Sequence, residues 1–157
     1  MQELLRKAQE VSRRVEAAMR HLLADSPPGG TTGHGPHRPT VLLVEDDTAT
    51  RLAVESWLSL SGFSVRTAVS GSEAAEQLDD PEVTIDVAVV DIGLPDVNGV
   101  TLCEMMQEFH PFLPVLVYSG RATSEDVRRV MAAGARHFFP KPVDPDELVA
   151  AVESALP

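Results

Sequence analysis

The sequence is poor in cysteine, in long apolar runs and, over most of its length, in basic residues. Its single cysteine, Cys103, cannot form an internal disulfide, which agrees with a reducing compartment. No segment approaches the roughly 18 consecutive apolar residues of a membrane span. The N-terminus also lacks the apolar stretch and small-residue cleavage site of a signal peptide. We therefore expect a cytoplasmic protein that does not cross a membrane.

The shortage of basic residues is confined to one part of the chain. The net charge is −11, and residues 40–157 hold seven Lys and Arg against twenty Asp and Glu, whereas residues 1–24 hold five against three. A domain that acidic repels the phosphate backbone of a nucleic acid. The composition therefore argues against direct DNA binding and favours cations or basic partner surfaces.

Residues 1–24 are predicted to form an amphipathic helix. Apolar residues recur there at alternating steps of four and three, namely at Leu4, Ala8, Val11, Val15, Ala18 and Leu22. A helix this short is marginal by itself in water, so it needs a surface to pack on. Three interpretations stay open: a parallel coiled-coil homodimer through residues 4–22, docking on the rest of the chain, or a solvated tail.

Residues 25–39 are predicted to be a flexible linker, because they are rich in Pro, Gly and Thr and contain few apolar side chains to offset the entropy of ordering.

From residue 40 to residue 157, short apolar stretches alternate with amphipathic ones. The predicted strands are 41–44, 64–68, 85–90, 114–118 and 137–139. The predicted helices are 48–60, 72–78, 99–109, 124–133 and 144–156. Such alternation predicts an α/β domain with a five-stranded, doubly wound parallel sheet.

Charged and hydroxyl side chains stand where four of the predicted strands end: Glu45, Asp46, Asp91, Ser119 and Lys141. Each alone would pass for an incidental loop residue, but parallel strands bring their carboxyl ends to one edge of a sheet. Three carboxylates there repel one another unless a hard cation such as Mg²⁺ neutralises them. A nearby hydroxyl and ammonium suit the oxygens of a phosphoryl group. Trp57, in the first predicted helix, is expected near this edge.

Four motifs make the comparison with a known family specific. They are Val44-Glu45-Asp46-Asp47, the run VVDIGLPDVNG at residues 89–99, Tyr118-Ser119-Gly120, and Phe138-Phe139-Pro140-Lys141-Pro142. With these motifs, residues 40–157 resemble the receiver domain of bacterial two-component response regulators. The resemblance implies a CheY-like, flavodoxin-like fold and a cis Lys141–Pro142 peptide bond.

The resemblance also implies a metal-assisted phosphorylation site. Asp91 would be the phosphoacceptor. Mg²⁺ would be held by Asp46, Asp91 and the Gly93 carbonyl, with Glu45 acting through water. The phosphoryl donor would be a sensor histidine kinase or a phosphotransfer protein.

The resemblance implies that the remaining site residues bind the phosphoryl group or respond to it. Ser119 would hydrogen-bond the phosphoryl oxygens and Lys141 would neutralise one of them. Phe138 occupies a switch position that is often Tyr, and it lacks the hydroxyl. We expect self-catalysed aspartyl phosphorylation and dephosphorylation, and no enzymatic turnover of other substrates.

Three other interpretations stay open at this point. The chain would serve equally as the receiver part of a hybrid histidine kinase or phosphorelay. It would also suit a scaffold that no longer switches and acts through its N-terminal helix. A phosphatase with an aspartyl intermediate is disfavoured, because enzymes of that kind that resemble this fold carry a second acid where this chain has Gly93.

Overall fold

The computed structural model of the protein describes residues 38–94 and 98–156. The predicted helix at 1–24 and nearly all of the predicted linker at 25–39 lie outside the described residues. Of the motif at 89–99, residues 95–97 lie outside them as well. None of the helices in the described ranges is long and apolar enough to span a bilayer.

Five parallel strands form one sheet in the order β2-β1-β3-β4-β5. The strands are β1 (Thr40–Val44), β2 (Ser64–Ala68), β3 (Val87–Asp91), β4 (Val115–Ser119) and β5 (His137–Pro140). The helices between and after them are α1 (Thr48–Leu60), α2 (Gly71–Asp79), α3 (Gly99–Phe109), α4 (Ser124–Ala133) and α5 (Pro145–Ala155). This confirms the predicted five-stranded, doubly wound α/β fold.

The three central strands are buried because helices cover both faces of the sheet. Side chains alternate along each strand, so that Leu42 and Val44 join one apolar cluster while Val41 and Leu43 join the other. The first cluster is completed by α2, α3 and α4, through residues such as Ala74, Val100, Met106 and Val130. The second is completed by α1 and α5, through residues such as Val54, Leu58, Leu148 and Val152. The sheet is therefore the middle layer of three.

Helix starts mark the carboxyl edge of the sheet. Asp47 caps α1, since its Oδ2 accepts a hydrogen bond of 2.9 Å from the Thr50 N–H. Thr123 and Asp126 form a reciprocal capping box at the start of α4. Each helix then runs back toward the opposite edge. Trp57 lies in the last turn of α1 and packs against the second cluster, so the expectation that it lies near the functional edge is wrong.

Element boundaries differ from prediction by only a few residues. β3 begins at Val87 rather than 85. Just before it, the Asp86 N–H donates to the Thr40 carbonyl at 2.8 Å and the Asp86 Oδ2 accepts from the Thr40 N–H at 2.7 Å. The Lys141–Pro142 peptide bond is cis, as the resemblance implied.

Candidate functional site

The carboxyl ends of four neighbouring strands bring the predicted site residues together. Glu45 and Asp46 follow β1, Asp91 ends β3, Ser119 ends β4 and Lys141 follows β5. Three of these are the buried polar or charged residues of the described chain, with relative exposures of 0% for Glu45, 4% for Asp91 and 7% for Ser119. Polar groups buried in this way require partners or a bound ion.

The carboxylates form a compact acidic cluster. Glu45, Asp46 and Asp91 each offer one oxygen, and these atoms lie within 4.8 Å of one another. Glu45 and Asp91 are buried, whereas Asp46 is exposed. Hard oxygen donors with strong mutual repulsion fit a hard divalent cation, and Mg²⁺ accepts one or two protein carboxylates while keeping several waters. The residues present therefore fit the predicted metal.

Lys141 supplies the positive charge that faces this cluster. Its Nζ donates to Glu45 Oε1 at 3.0 Å and to Asp91 Oδ2 at 3.1 Å. Partial burial lowers the pKa of Lys141, but the hydrogen bonds to the two carboxylates outweigh that effect and raise it overall. The ammonium group is therefore charged at neutral pH and is shared between the buried acids.

The Glu45 side chain is completely buried, and each of its carboxylate oxygens accepts hydrogen bonds. Its Oε1 accepts from the Tyr118 hydroxyl at 2.9 Å and from Lys141, while its Oε2 accepts from the Asp47 N–H at 3.2 Å. Burial, reinforced by neighbouring Asp91 and opposed by the Lys141 hydrogen bond, raises the pKa of Glu45 from 4.5 to about 7. Without a cation, this carboxyl group gains a proton near neutral pH.

Asp91 is held by the loop that follows it. Its Oδ1 accepts a hydrogen bond of 2.9 Å from the Gly93 N–H, and its Oδ2 accepts from Lys141. Gly99, at the start of α3, lies close to Ile92, and its N–H donates to the Ile92 carbonyl at 3.0 Å. A Cβ atom at residue 99 would stand 2.3 Å from the Ile92 Cα, so only glycine fits there. Gly93 thus lies beside Asp91, and the metal-binding role of its carbonyl stays a prediction.

Ser119 ends β4 and Phe138 lies within β5, and the hydrogen bonds of Asp91 described above involve neither residue. The Ser119 Oγ accepts a hydrogen bond of 3.1 Å from the Arg121 N–H, in the loop before α4. Phe138 is half-buried and packs against the apolar cluster on the α2, α3 and α4 side of the sheet. The switch roles predicted for these two residues remain predictions.

Tyr118 is the site residue that sequence reasoning missed. The sequence placed it only at the end of the fourth predicted strand, before Ser119, and in the structure its ring is completely buried. Its hydroxyl nevertheless reaches Glu45, and the Lys141 Nζ lies 5.0 Å from the centre of its ring. The available signal was a tyrosine, the only one in the chain, at the end of an otherwise aliphatic strand.

Comparison with known proteins agrees with this geometry. Residues 41–153 match the family described as "Response regulator receiver domain". A cyclic di-GMP phosphodiesterase of Thermotoga maritima is 37% identical over 117 residues, which cover 74% of this chain and 31% of the relative. The transcriptional regulatory protein PrrA of Mycobacterium tuberculosis is 37% identical over 118 residues, which cover 75% of this chain and 50% of the relative.

A solved structure shares the fold over the same region. The CheY-like receiver domain protein of Methanospirillum hungatei superposes with a TM-score of 0.71 at 27% identity, covering 75% of this chain and 93% of that one. The curated relatives are longer than the matched region, since this chain spans about a third to a half of the two named above. The region that matches these relatives is the domain in which this chain carries the acidic cluster and the lysine at its strand ends. On this evidence the chain belongs to the receiver-domain family of two-component response regulators.

Proposed function

We propose that this receiver domain is a cytoplasmic phosphoacceptor switch, phosphorylated on Asp91 by a sensor histidine kinase or a phosphotransfer protein. The observation that carries the proposal is the environment of Asp91. Its buried carboxylate lies 3.1 Å from the Lys141 Nζ and within 4.8 Å of the oxygens of two further acids. This arrangement combines a nucleophilic oxygen, a cation site and a fixed positive charge, which are the parts that phosphoryl transfer needs.

Mg²⁺ is the proposed cofactor, held by Asp46, Asp91 and the Gly93 carbonyl. Glu45 would act through water, because its two oxygens already accept hydrogen bonds from Tyr118, Lys141 and the backbone. When bound, Mg²⁺ would neutralise negative charge on the phosphoryl oxygens. The exposed position of Asp46 leaves the acidic cluster accessible from solvent.

In the proposed transfer, a carboxylate oxygen of Asp91 attacks the phosphorus. A new P–O bond forms while the P–N bond to the donor histidine breaks, and the imidazole leaves with the electron pair and takes up a proton from solvent. Asp91 becomes an acyl phosphate, from which water later releases phosphate. Lys141 moves from the Asp91 carboxylate to a phosphoryl oxygen and remains bound to Glu45, so its charge stays at the site throughout.

Ser119 and Phe138 carry the proposed switch. Phosphorylation adds about −1.5 to −2 charges, which attract a hydroxyl donor. The Ser119 hydroxyl would turn its proton toward the phosphoryl group and leave the Arg121 N–H that it now accepts from. Phe138 would follow by moving inward, and with no hydroxyl it loses no hydrogen bond when it leaves its half-buried position.

The proposal includes no enzymatic activity on other substrates and no direct contact with DNA. The relatives named above are a phosphodiesterase and a transcriptional regulator, so receiver domains of this kind serve different outputs. A role within a hybrid histidine kinase or phosphorelay uses the same Asp91 chemistry and is the alternative pathway assignment. A scaffold that does not switch is the second alternative, and it requires that Asp91 take no phosphate.

Self-association through residues 4–22 is a further part of the proposal, and these residues lie outside the described ones. A parallel pair of helices would bury about four large aliphatic side chains from each helix, for a gross gain of roughly 6–12 kcal/mol per helix. Ordering and association entropy cancel most of that gain. The expected homodimer is therefore weak.

Intact-mass spectrometry with Mg²⁺ and a small phosphodonor tests the central claim. Wild type should gain one phosphoryl group, Asp91→Asn should gain none, and Asp79→Asn, an exposed aspartate in α2, should behave as wild type. Equal uptake by wild type and Asp91→Asn would refute the assignment. No uptake by wild type would favour the scaffold.

A further inference from the structure

We infer that Tyr118 is a positioning residue of the phosphorylation site, which holds Glu45 in place for cation binding and Lys141 in place for the phosphoryl group. The inference rests on the proposed Mg²⁺-dependent phosphorylation and adds a residue to it. Tyr118 would not touch the cation or the phosphoryl group. It would act through the Glu45 carboxylate, on the side of the cation, and through the Lys141 ammonium, on the side of the phosphoryl group.

The first step of the argument is the choice of hydrogen-bond partner. Tyr118 is fully buried, and a buried phenol hydroxyl needs an acceptor. Here the acceptor is Glu45 Oε1, at 2.9 Å and 73 residues earlier in the sequence. Burial raises the pKa of Tyr118, so the hydroxyl stays a donor at neutral pH. The bond therefore ties the end of β4 to the acidic segment after β1.

The second step is that the same side chain also supports the lysine. The Lys141 Nζ lies 5.0 Å from the Tyr118 ring centre and donates to the same Glu45 oxygen as the hydroxyl does. A cation over an aromatic face at that distance is attracted to it. Tyr118 thus contacts both partners of the Glu45–Lys141 ion pair, one through its hydroxyl and the other through its ring.

The third step is the length of the acidic side chain. Glu45 spans the gap to Tyr118 with a bond of 2.9 Å, whereas an aspartate would be shorter by about 1.5 Å, one carbon–carbon bond. That retraction exceeds the tolerance of a hydrogen bond. The pairing of a glutamate after β1 with a tyrosine in β4 therefore forms a unit, in which each residue depends on the other.

Removing only the hydroxyl separates these effects. Tyr118→Phe keeps the ring, the packing and the contact with Lys141, and leaves Glu45 Oε1 with one donor in place of two. Loss of a hydrogen bond that orients a metal-binding group costs about 10- to 100-fold in metal affinity or activity. Because the cation contact of Glu45 is itself proposed to pass through water, we expect the lower end, about tenfold weaker Mg²⁺ binding.

The test measures Mg²⁺ affinity by calorimetry and phosphorylation rate by intact mass on the full chain. Tyr118→Phe should bind Mg²⁺ about tenfold more weakly than wild type. In a Glu45→Asp background, the same substitution should change affinity by less than about twofold, because the hydroxyl has no acceptor within reach. Val152→Ala serves as the packing control. It removes buried volume from the same apolar cluster, toward the far end of α5, and should lower thermal stability without changing Mg²⁺ affinity.

The possible results distinguish the inference about Tyr118 from the proposed function. Wild-type affinity in Tyr118→Phe would overturn the inference and leave the proposed function standing. An equal loss in the Glu45→Asp background, or a loss of affinity in Val152→Ala, would also overturn it, because the effect would then not pass through Glu45. A wild-type chain that takes neither Mg²⁺ nor phosphate would refute the proposed function, and the inference with it.

Discussion

In the metal-free protein, the stability of wild type relative to Glu45→Gln should fall as the pH rises. The Glu45 side chain is completely buried, and its pKa is raised from 4.5 to about 7 by burial and by neighbouring Asp91. That difference corresponds to about 3 kcal/mol in favour of the protonated carboxyl group. A glutamine has nearly the same shape as that protonated group and never acquires a charge.

The sign follows from proton binding in the two states. Between about pH 4.5 and pH 7, the folded chain keeps a proton on Glu45 that the unfolded chain has already released. Folding is then linked to proton uptake, so the contribution is present in full below pH 4.5 and is lost as the pH rises through 7. The free energy of unfolding of wild type, relative to Glu45→Gln, should therefore fall by about 3 kcal/mol across this range.

Urea denaturation in the presence of a chelator, at several values between pH 5 and pH 8.5, measures this difference directly. Subtracting the two proteins at each pH cancels the titrating groups that do not contact Glu45. Glu76→Gln, which changes an exposed glutamate in α2, is the matched control for the loss of one carboxylate. A difference between wild type and Glu45→Gln that does not vary with pH would refute the reasoning, because it would mean that Glu45 ionises as freely in the folded chain as in the unfolded one.

Three further predictions address the cation, the loop and the N-terminal segment. Asp46→Ala should weaken Mg²⁺ binding by at least about tenfold in calorimetry, because a direct carboxylate–cation attraction exceeds the roughly 1.4 kcal/mol of a tenfold change. An unchanged Mg²⁺ affinity would show that Asp46 does not bind the cation. Gly99→Ala should destabilise the fold by about 1–3 kcal/mol, since the new Cβ would stand 2.3 Å from the Ile92 Cα, and a loss below about 0.5 kcal/mol in urea would contradict the close approach of Gly99 to Ile92. Sedimentation should show a concentration-dependent dimer that Val11→Asp/Val15→Asp abolishes, and a chain that stays monomeric at high concentration would end the dimer hypothesis.

The fold was predictable because buried strands have a recognisable sequence pattern. Central strands covered on both faces appear as short apolar runs, as in VAVVD at β3 and VLVYS at β4. Their polar termini stand out against that background, and parallel pairing then determines that they meet. Asp91 and Lys141 are 50 residues apart in the chain, yet their contact at 3.1 Å follows from those two facts.

What escaped prediction depends on distances and directions that no residue pattern records. The position of Trp57 was misjudged because a helix that starts at the functional edge carries its last turn away from it. The Ser119 Oγ accepts a hydrogen bond from the Arg121 N–H in the loop after β4, and that partner depends on the local backbone path. Tyr118 was missed because an aromatic residue in a buried strand is usually a packing residue, and only coordinates show where its hydroxyl points.

The acidic cluster is itself a source of instability. Three carboxylates face one ammonium at the edge of the sheet, and Glu45 and Asp91 have almost no contact with water. The contacts of Tyr118 and Lys141 satisfy hydrogen bonds but do not remove the excess negative charge. A proton on Glu45 relieves it in the metal-free state, and a divalent cation would relieve it more completely while leaving every carboxylate ionised. The raised pKa of Glu45 and the proposed affinity for Mg²⁺ thus have the same physical origin, because both measure how strongly this buried edge attracts positive charge.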